Sequence, residues 1–186
     1  MRALYQTIHK QPQDGMNIMT SSNKNTDHMR HPDKDERAYG ARNEDPYQSR
    51  AKYPEPCVCS GCGAVLHKGR WQWGIASPAA HKHLCPACHR IHDRVPAGIV
   101  KIQGEFFNQH RQEILNLIHN LEAREKAEHP LQRIMGIHAN DDGIEIQLAD
   151  FHLTNTLGQA LAHAYQGKLE APYPDKDGVM HVTWTR

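Results

Sequence analysis

Apolar residues in the C-terminal half of the chain recur with two different periods, and the switches between them mark out elements. Ile114, Leu117, Ile118 and Leu121 stand at i, i+3, i+4 and i+7, which predicts a helix over about residues 108–128 with one stripe facing a core. EAREKAEHP continues it as a charged outer surface, and Pro130, with no N–H to donate, halts it. LQRIMGIHA and IEIQLA then read as strands separated by the turn residues NDDG. Ile144, Ile146 and Leu148 alternate with Glu145, Gln147 and Ala149, so one face of the second strand is wet. Asp150 is placed to cap a second helix, FHLTNTLGQALAHAYQG. Its buried stripe is Leu153, Leu157, Leu161 and Ala164, and Gly167 suits its left-handed stop. KLEAPYP and VMHVTWTR close the chain as a hairpin around DKDG, with Met180, Val182 and Trp184 on one face and His181, Thr183 and Thr185 on the other. Helix–strand–strand–helix–strand–strand over residues 105–186 predicts an α+β fold, an αββαββ domain with a small antiparallel sheet and helices over one face.

Upstream the periods fade. PAGIVKIQGEFF looks extended, with Ile99, Lys101 and Gln103 alternating against Val100 and Ile102, and AVLHKGRWQWGIA suits two strands around Lys68-Gly69. Residues 1–56 sustain neither period and are punctuated by Pro, Gly, Asn and Asp, so they read as a disordered or extended arm. Within that arm, DPYQSRAKYPEP carries Tyr47 and Tyr53 among charges and is suited to pack on the next module. With 38% hydrophobic and only 6% aromatic residues in 186, a single core of full length is poorly supplied.

What residues 57–104 lack in period they hold in sulfur. Cys59-Ser-Gly-Cys62-Gly63 and Cys85-Pro-Ala-Cys88 are two C-x-x-C pairs with 22 residues between them. A C-x-x-C turn aims two thiolates at one ion while backbone N–H groups donate to the sulfurs, and Gly63 relieves the bend after the second thiol. Two such turns supply the tetrahedron that holds structural zinc, so Cys59, Cys62, Cys85 and Cys88 are the expected ligands of one Zn2+ in a four-cysteine zinc ribbon. Cys57 forms only a C-x-C pair with Cys59 and is expected to be a small residue on the entering strand, or a substitute ligand. His81, His83, His89 and His92 crowd the second pair as surface residues that could stand in for a sulfur. No stretch has the length or apolarity of a membrane span, and the N-terminus lacks a secretory pattern. The cytoplasm is therefore the expected compartment, and clustered thiols there read as metal ligands before disulfides.

Charge changes the picture once more. Residues 57–104 carry six basic residues against Asp93 alone, whereas residues 105–186 carry seven basic and twelve acidic ones. The cysteine segment is the positive pole. Lys68, Arg70, Arg90 and Arg94 can pair with phosphates, and Trp71 or Trp73 can stack on unpaired bases, unless the indoles are spent on packing the ribbon against the helical domain. A four-sulfur site leaves no open position for water or substrate. The chain also lacks H-E-x-x-H, phosphate-loop and nucleophile-elbow motifs, so neither an enzyme nor a small-molecule substrate is expected. His110, His119, His138, His152 and His163 are scattered, and Asp141 with Asp142 reads as turn chemistry.

DPY, CSGCGAVLHKGRWQW, CPACHRIHDRVPAGIVKIQGEFF, EHPLQRIM and VTWTR together resemble a family of uncharacterised bacterial zinc-ribbon proteins, from about residue 45 to the end. That family is in turn distantly similar to the zinc-ribbon part of the nonsense-mediated-decay protein three family, adaptors of the large ribosomal subunit. The resemblance implies RNA or ribosome association without catalysis, in translation or stress regulation. A protein–protein adaptor with a structural zinc, or a redox- or metal-responsive stress factor, are the alternative expectations. Cys57 is one thiol more than the pattern needs, and the adaptors' further cysteine pairs are missing here.

Overall fold

The alternating and helical stretches assemble into mixed α/β architecture with four helices and two antiparallel-rich sheets among the described residues. The structure, a computed structural model, describes Tyr47, residues 53–172 and residues 178–186, which lie in one compact unit. The arm expected over residues 1–56 falls outside the described residues apart from Tyr47 and residues 53–56, as does most of the DKDG turn.

The first sheet is built from three-residue strands, β1 (Cys57–Cys59), β2 (Val65–His67), β3 (Arg70–Gln72) and β4 (His81–His83), in the order β3-β2-β1-β4. The β2–β3 hairpin turns where expected. Lys68 and Gly69 both have positive φ, 50° and 75°, and the Glu55 carboxylate accepts from both of their backbone N–H groups at 2.9 Å. Helix α1 (Pro86–Asp93) was not evident from apolar spacing; its signal is local, a proline at N1 after a capping Cys85.

The second sheet has the order β6-β7-β5-β9-β8, from β5 (Gly98–Gln103), β6 (Ile134–Asn140), β7 (Gly143–Leu148), β8 (Lys168–Glu170) and β9 (Met180–Thr185). Two expectations are corrected here. The strand counted with the cysteine segment, β5, is the middle of this sheet, and it pairs parallel with β9, so the sheet is not purely antiparallel. The physical reason is register: Val100 aligns with Ile146 and Val182, and Ile102 with Ile144 and Trp184, which completes one continuous apolar face.

Helices cover that face. The single helix expected over about residues 108–128 is two, α2 (Glu105–Gln109) and α3 (Arg111–Glu128), with His110 at φ −113° between them. The extended reading of GEFF fails because Gly104, at φ 110°, turns the chain, and the Phe106 N–H then bonds to the Arg186 carbonyl. Ile114, Ile118 and Leu121 of α3 are buried, with Leu117 half-buried. Helix α4 (Phe151–Tyr165) starts on Asp150, which accepts from the Leu153 N–H at 3.0 Å. Its buried stripe is Leu153, Leu157 and Leu161, but Ala164 is exposed and Thr154 with Gly158 take the remaining inward positions. These two small residues let α4 lie close on the sheet: a Cβ at Gly158 would stand 2.7 Å from Val182 Cγ1. The core joins Trp184, Phe107 and the aliphatic faces of β5, β7 and β9 to α3 and α4. No helix among the described residues is long and apolar enough to cross a membrane.

Candidate metal centre and the surface around it

β1 delivers Cys59 to the first knuckle, and the tight return is closed by the Cys59 N–H to the Ala64 carbonyl at 2.7 Å and the Gly63 N–H to the Cys59 carbonyl at 2.9 Å. Gly63 sits at φ 78°, the bend its position in the motif suggested. The second knuckle is a helix start. Cys85 caps α1 and its sulfur accepts from the Cys88 N–H at 3.4 Å, so the positive end of the helix faces the thiol. The two turns close on each other so tightly that a Cβ at Gly61 would lie 3.0 Å from Cys88 Sγ.

The outcome is four sulfurs, of Cys59, Cys62, Cys85 and Cys88, all within 4.8 Å of one another. That set is positioned to bind one metal ion, and its all-sulfur, four-ligand chemistry is consistent with a structural zinc. Cys57 stands outside the cluster as a buried residue of β1, its thiol pushed up by burial against an opposing His83 backbone donor. His81, His83, His89 and His92 are exposed and do not join the sulfurs.

Electrostatics divides the thiols. Burial pushes Cys59 up, but backbone N–H groups of Cys85, Gly61 and Cys62 outweigh it and bring the thiol down to about 7. Gly61 N and Cys85 N lie 3.4 and 3.2 Å from that sulfur. Burial raises Cys85 and Cys88, and the neighbouring sulfurs oppose further ionisation of Cys85. Four thiolates this close repel, so full ionisation requires a cation among them.

The tyrosines of the incoming segment do pack on this half of the molecule. Tyr47 stands edge-on to His89 at 5.3 Å and donates to the Asp93 carboxylate at 3.0 Å; Tyr53 meets Trp71 at 5.6 Å and His83 at 5.8 Å. Packing also claims part of the expected nucleic-acid surface. Arg90 is buried, with its guanidinium on the Val95 carbonyl at 3.2 Å and over the Tyr47 ring at 4.5 Å, so it cannot reach a phosphate. Trp71 is half-buried against the cysteine cluster. Trp73 stays 40% exposed but ties the hairpin to the end of α3 through its indole N–H on the Lys126 carbonyl at 2.7 Å. Lys68, Arg70 and Arg94 remain exposed.

Register adds residues that composition did not single out. Lys82, Val58, Val65 and Gln72 form one row across β4, β1, β2 and β3, and His67 with Arg70 lies two positions along on the same face. His67, Arg70, Gln72 and Lys82 are exposed around half-buried Val58 and Val65. The opposite face carries Cys57, Leu66 and Trp71 inward. Another residue missed was Arg133, whose side chain reaches the sulfurs from the turn after α3. No family model, curated protein or solved structure matches this chain.

Proposed function

We propose that the chain is a non-enzymatic zinc-ribbon protein that binds unpaired RNA, such as that exposed on the ribosome, through the outer face of its first sheet. The metal would act as scaffold: four sulfurs complete a tetrahedral zinc, so no ligand position is left for water or substrate. The single observation that carries the RNA reading is the composition of that face. It offers Arg70, Lys82, His67 and Gln72 as hydrogen-bond donors around a small apolar centre, with no carboxylate in the paired rows. Lys68 at the hairpin tip and Arg94 at the end of α1 extend the set of exposed cations. The resemblance to bacterial zinc-ribbon proteins points the same way.

Salt dependence of binding to an unpaired RNA tests the reading. Four cations, Lys68, Arg70, Lys82 and Arg94, allow a slope of log affinity on log salt no steeper than about −3, at ~0.7 per phosphate neutralised on a single strand. Arg70→Ala and Lys82→Ala should each flatten it by about 0.7, while Lys101→Ala, on the other sheet, should not. Unchanged slopes in both sheet-face variants would refute the assignment. A protein partner is the second reading, favoured by Ile75, which is fully exposed two residues beyond Trp73. Cosedimentation with ribosomal particles that survives nuclease treatment would favour that alternative.

A further inference from the structure

Arg133 lies in the turn between α3 and β6, 45 residues beyond the last cysteine of the cluster, yet it is only 8% exposed. Its Nη2 donates to Cys62 Sγ at 2.9 Å and reaches Cys85 Sγ at 3.6 Å, and its Nη1 lies 3.4 Å from Cys88 Sγ. Three of the four sulfurs therefore share one guanidinium. Cys59, the fourth, is served by backbone N–H groups of Gly61 and Cys85. Among the described residues, the N–H donors to the two half-exposed sulfurs, Cys62 and Cys88, come from Arg133.

The guanidinium is held from its own side of the molecule. Its Nε donates to the Pro130 carbonyl at 2.6 Å, and the turn is closed by the Gln132 N–H on the His129 carbonyl at 2.9 Å. The Arg133 carbonyl accepts from Ala149 N at 3.0 Å, and Ile134 N donates to the Glu122 carboxylate of α3 at 2.8 Å. The larger sheet and α3 thus present a rigid cation to the sulfur cluster.

Four thiolates around a divalent ion leave a surplus of two negative charges in a buried place, which low dielectric makes costly unless it is neutralised and hydrogen-bonded. We propose that Arg133 is a positioning residue of the metal centre: it offsets one of those charges, donates to the exposed pair of sulfurs, and makes metal retention depend on docking of the 129–133 turn. This rests on the reading that the four cysteines hold a divalent ion. A planar fork suits the task, since it spreads donors over several sulfurs at once where an ammonium is a point charge.

The test begins with metal content and affinity of the full-length parent, because an unloaded parent would overturn the metal reading itself. With a loaded parent, Arg133→Met should weaken zinc affinity about ten- to a hundredfold and speed transfer of zinc to a chelator, the range for lost partners of metal ligands. Arg133→Lys should recover part of it. A readout that loss of packing would not move is the sulfur-to-metal charge-transfer band of the cobalt(II) form. Loss of N–H donors raises the energy of sulfur lone pairs, so the band should move to longer wavelength in Arg133→Met and part of the way in Arg133→Lys. Should Arg133→Met fail to fold, Arg133→Lys and the parent decide, the latter through coupling between 113Cd and a guanidinium proton in the cadmium form. An unshifted band in a folded, fully loaded variant, or a parent whose cadmium couples to no guanidinium proton, overturns the proposal.

Discussion

Withdrawing the metal from the full chain with a strong chelator should unfold one half of the molecule and leave the other standing. The sizes follow from what each half buries. The larger sheet and its helices enclose Trp184, Phe107 and eleven Ile, Leu or Val side chains at under 2% exposure. At about 1.5–3 kcal/mol each, those thirteen contribute roughly 20–39 kcal/mol of apolar burial. The fully buried part of the cluster around the sulfurs is Cys59, Ala64, Cys85, Ala87 and Ala149, with Trp71, Leu84, Leu131 and Met135 only partly buried against it. Its three methyl groups are worth only about 2–3 kcal/mol, at ~0.8 per buried methyl, and Leu66 adds one aliphatic side chain. Structural zinc supplies about 10–16 kcal/mol in modules of this kind, and 1.4 kcal/mol is a decade, so its loss shifts the opening equilibrium by about seven decades or more. Hydrogen exchange read by mass spectrometry distinguishes unfolding from loosening. Amides of β1, β2, β4 and α1 should lose protection, the 129–133 turn should loosen with them, and β5, β7, β9, α3 and α4 should keep theirs. Protection of β1 and α1 that survives complete removal of the metal would refute the reasoning.

The remaining expectations are more local. Cys57→Ala should leave metal stoichiometry at the parent's value while Cys59→Ala abolishes it, as measured by elemental analysis, because only the latter sulfur lies in the cluster. Gly158→Ala should destabilise by about 1–3 kcal/mol in thermal or denaturant unfolding, despite the gain of roughly 1 kcal/mol in helix propensity. The added Cβ would meet Val182 Cγ1 at 2.7 Å and Leu169 Cδ1 at 3.1 Å. Metal affinity should rise with pH, since burial holds the Cys85 and Cys88 thiols above their ordinary value and an incoming cation must displace their protons. The protons displaced from these two thiols alone give at least about two decades of affinity per pH unit in the neutral range, and a pH-independent titration would contradict it.

Much of the larger sheet was legible because its signals are local and repeated. Alternation in Ile144, Ile146 and Leu148 and the i, i+3, i+4, i+7 stripe of α3 survive any tertiary context, since each buries against a broad apolar layer. Parallel pairing of β5 with β9 was not legible: both strands alternate correctly, and alternation says nothing about which neighbour they take. The cysteine half reads in the opposite way. Spacing of the C-x-x-C pairs gave four residues that come within 4.8 Å, yet its strands are three residues long, too short for a period to register. Arg90 looked like surface charge by composition, but the Val95 carbonyl and the ring of Tyr47, distant in sequence, hold it inward. Arg133 could not be found from spacing at all, because its tie to the sulfurs exists only once the sheet places the turn beside them.

That tie bears on the redox- or metal-responsive alternative. A thiol that senses oxidant needs thiolate character together with access. In this cluster the two properties are separated. Cys59, the thiol pulled down to about 7, is 2% exposed, and Cys85 is fully buried. The accessible pair, Cys62 and Cys88, are the sulfurs that Arg133 covers with N–H donors. A hydrogen-bonded, charge-compensated thiolate is a weaker nucleophile, so a loaded centre should be slow to react with peroxide. The vulnerable form would be one in which the 129–133 turn had lifted and taken the guanidinium away. Metal release would then follow from breaking the anchors of that turn, the Glu122–Ile134 and Arg133–Ala149 hydrogen bonds, before any sulfur is oxidised. Regulation of such a centre would enter through the larger sheet.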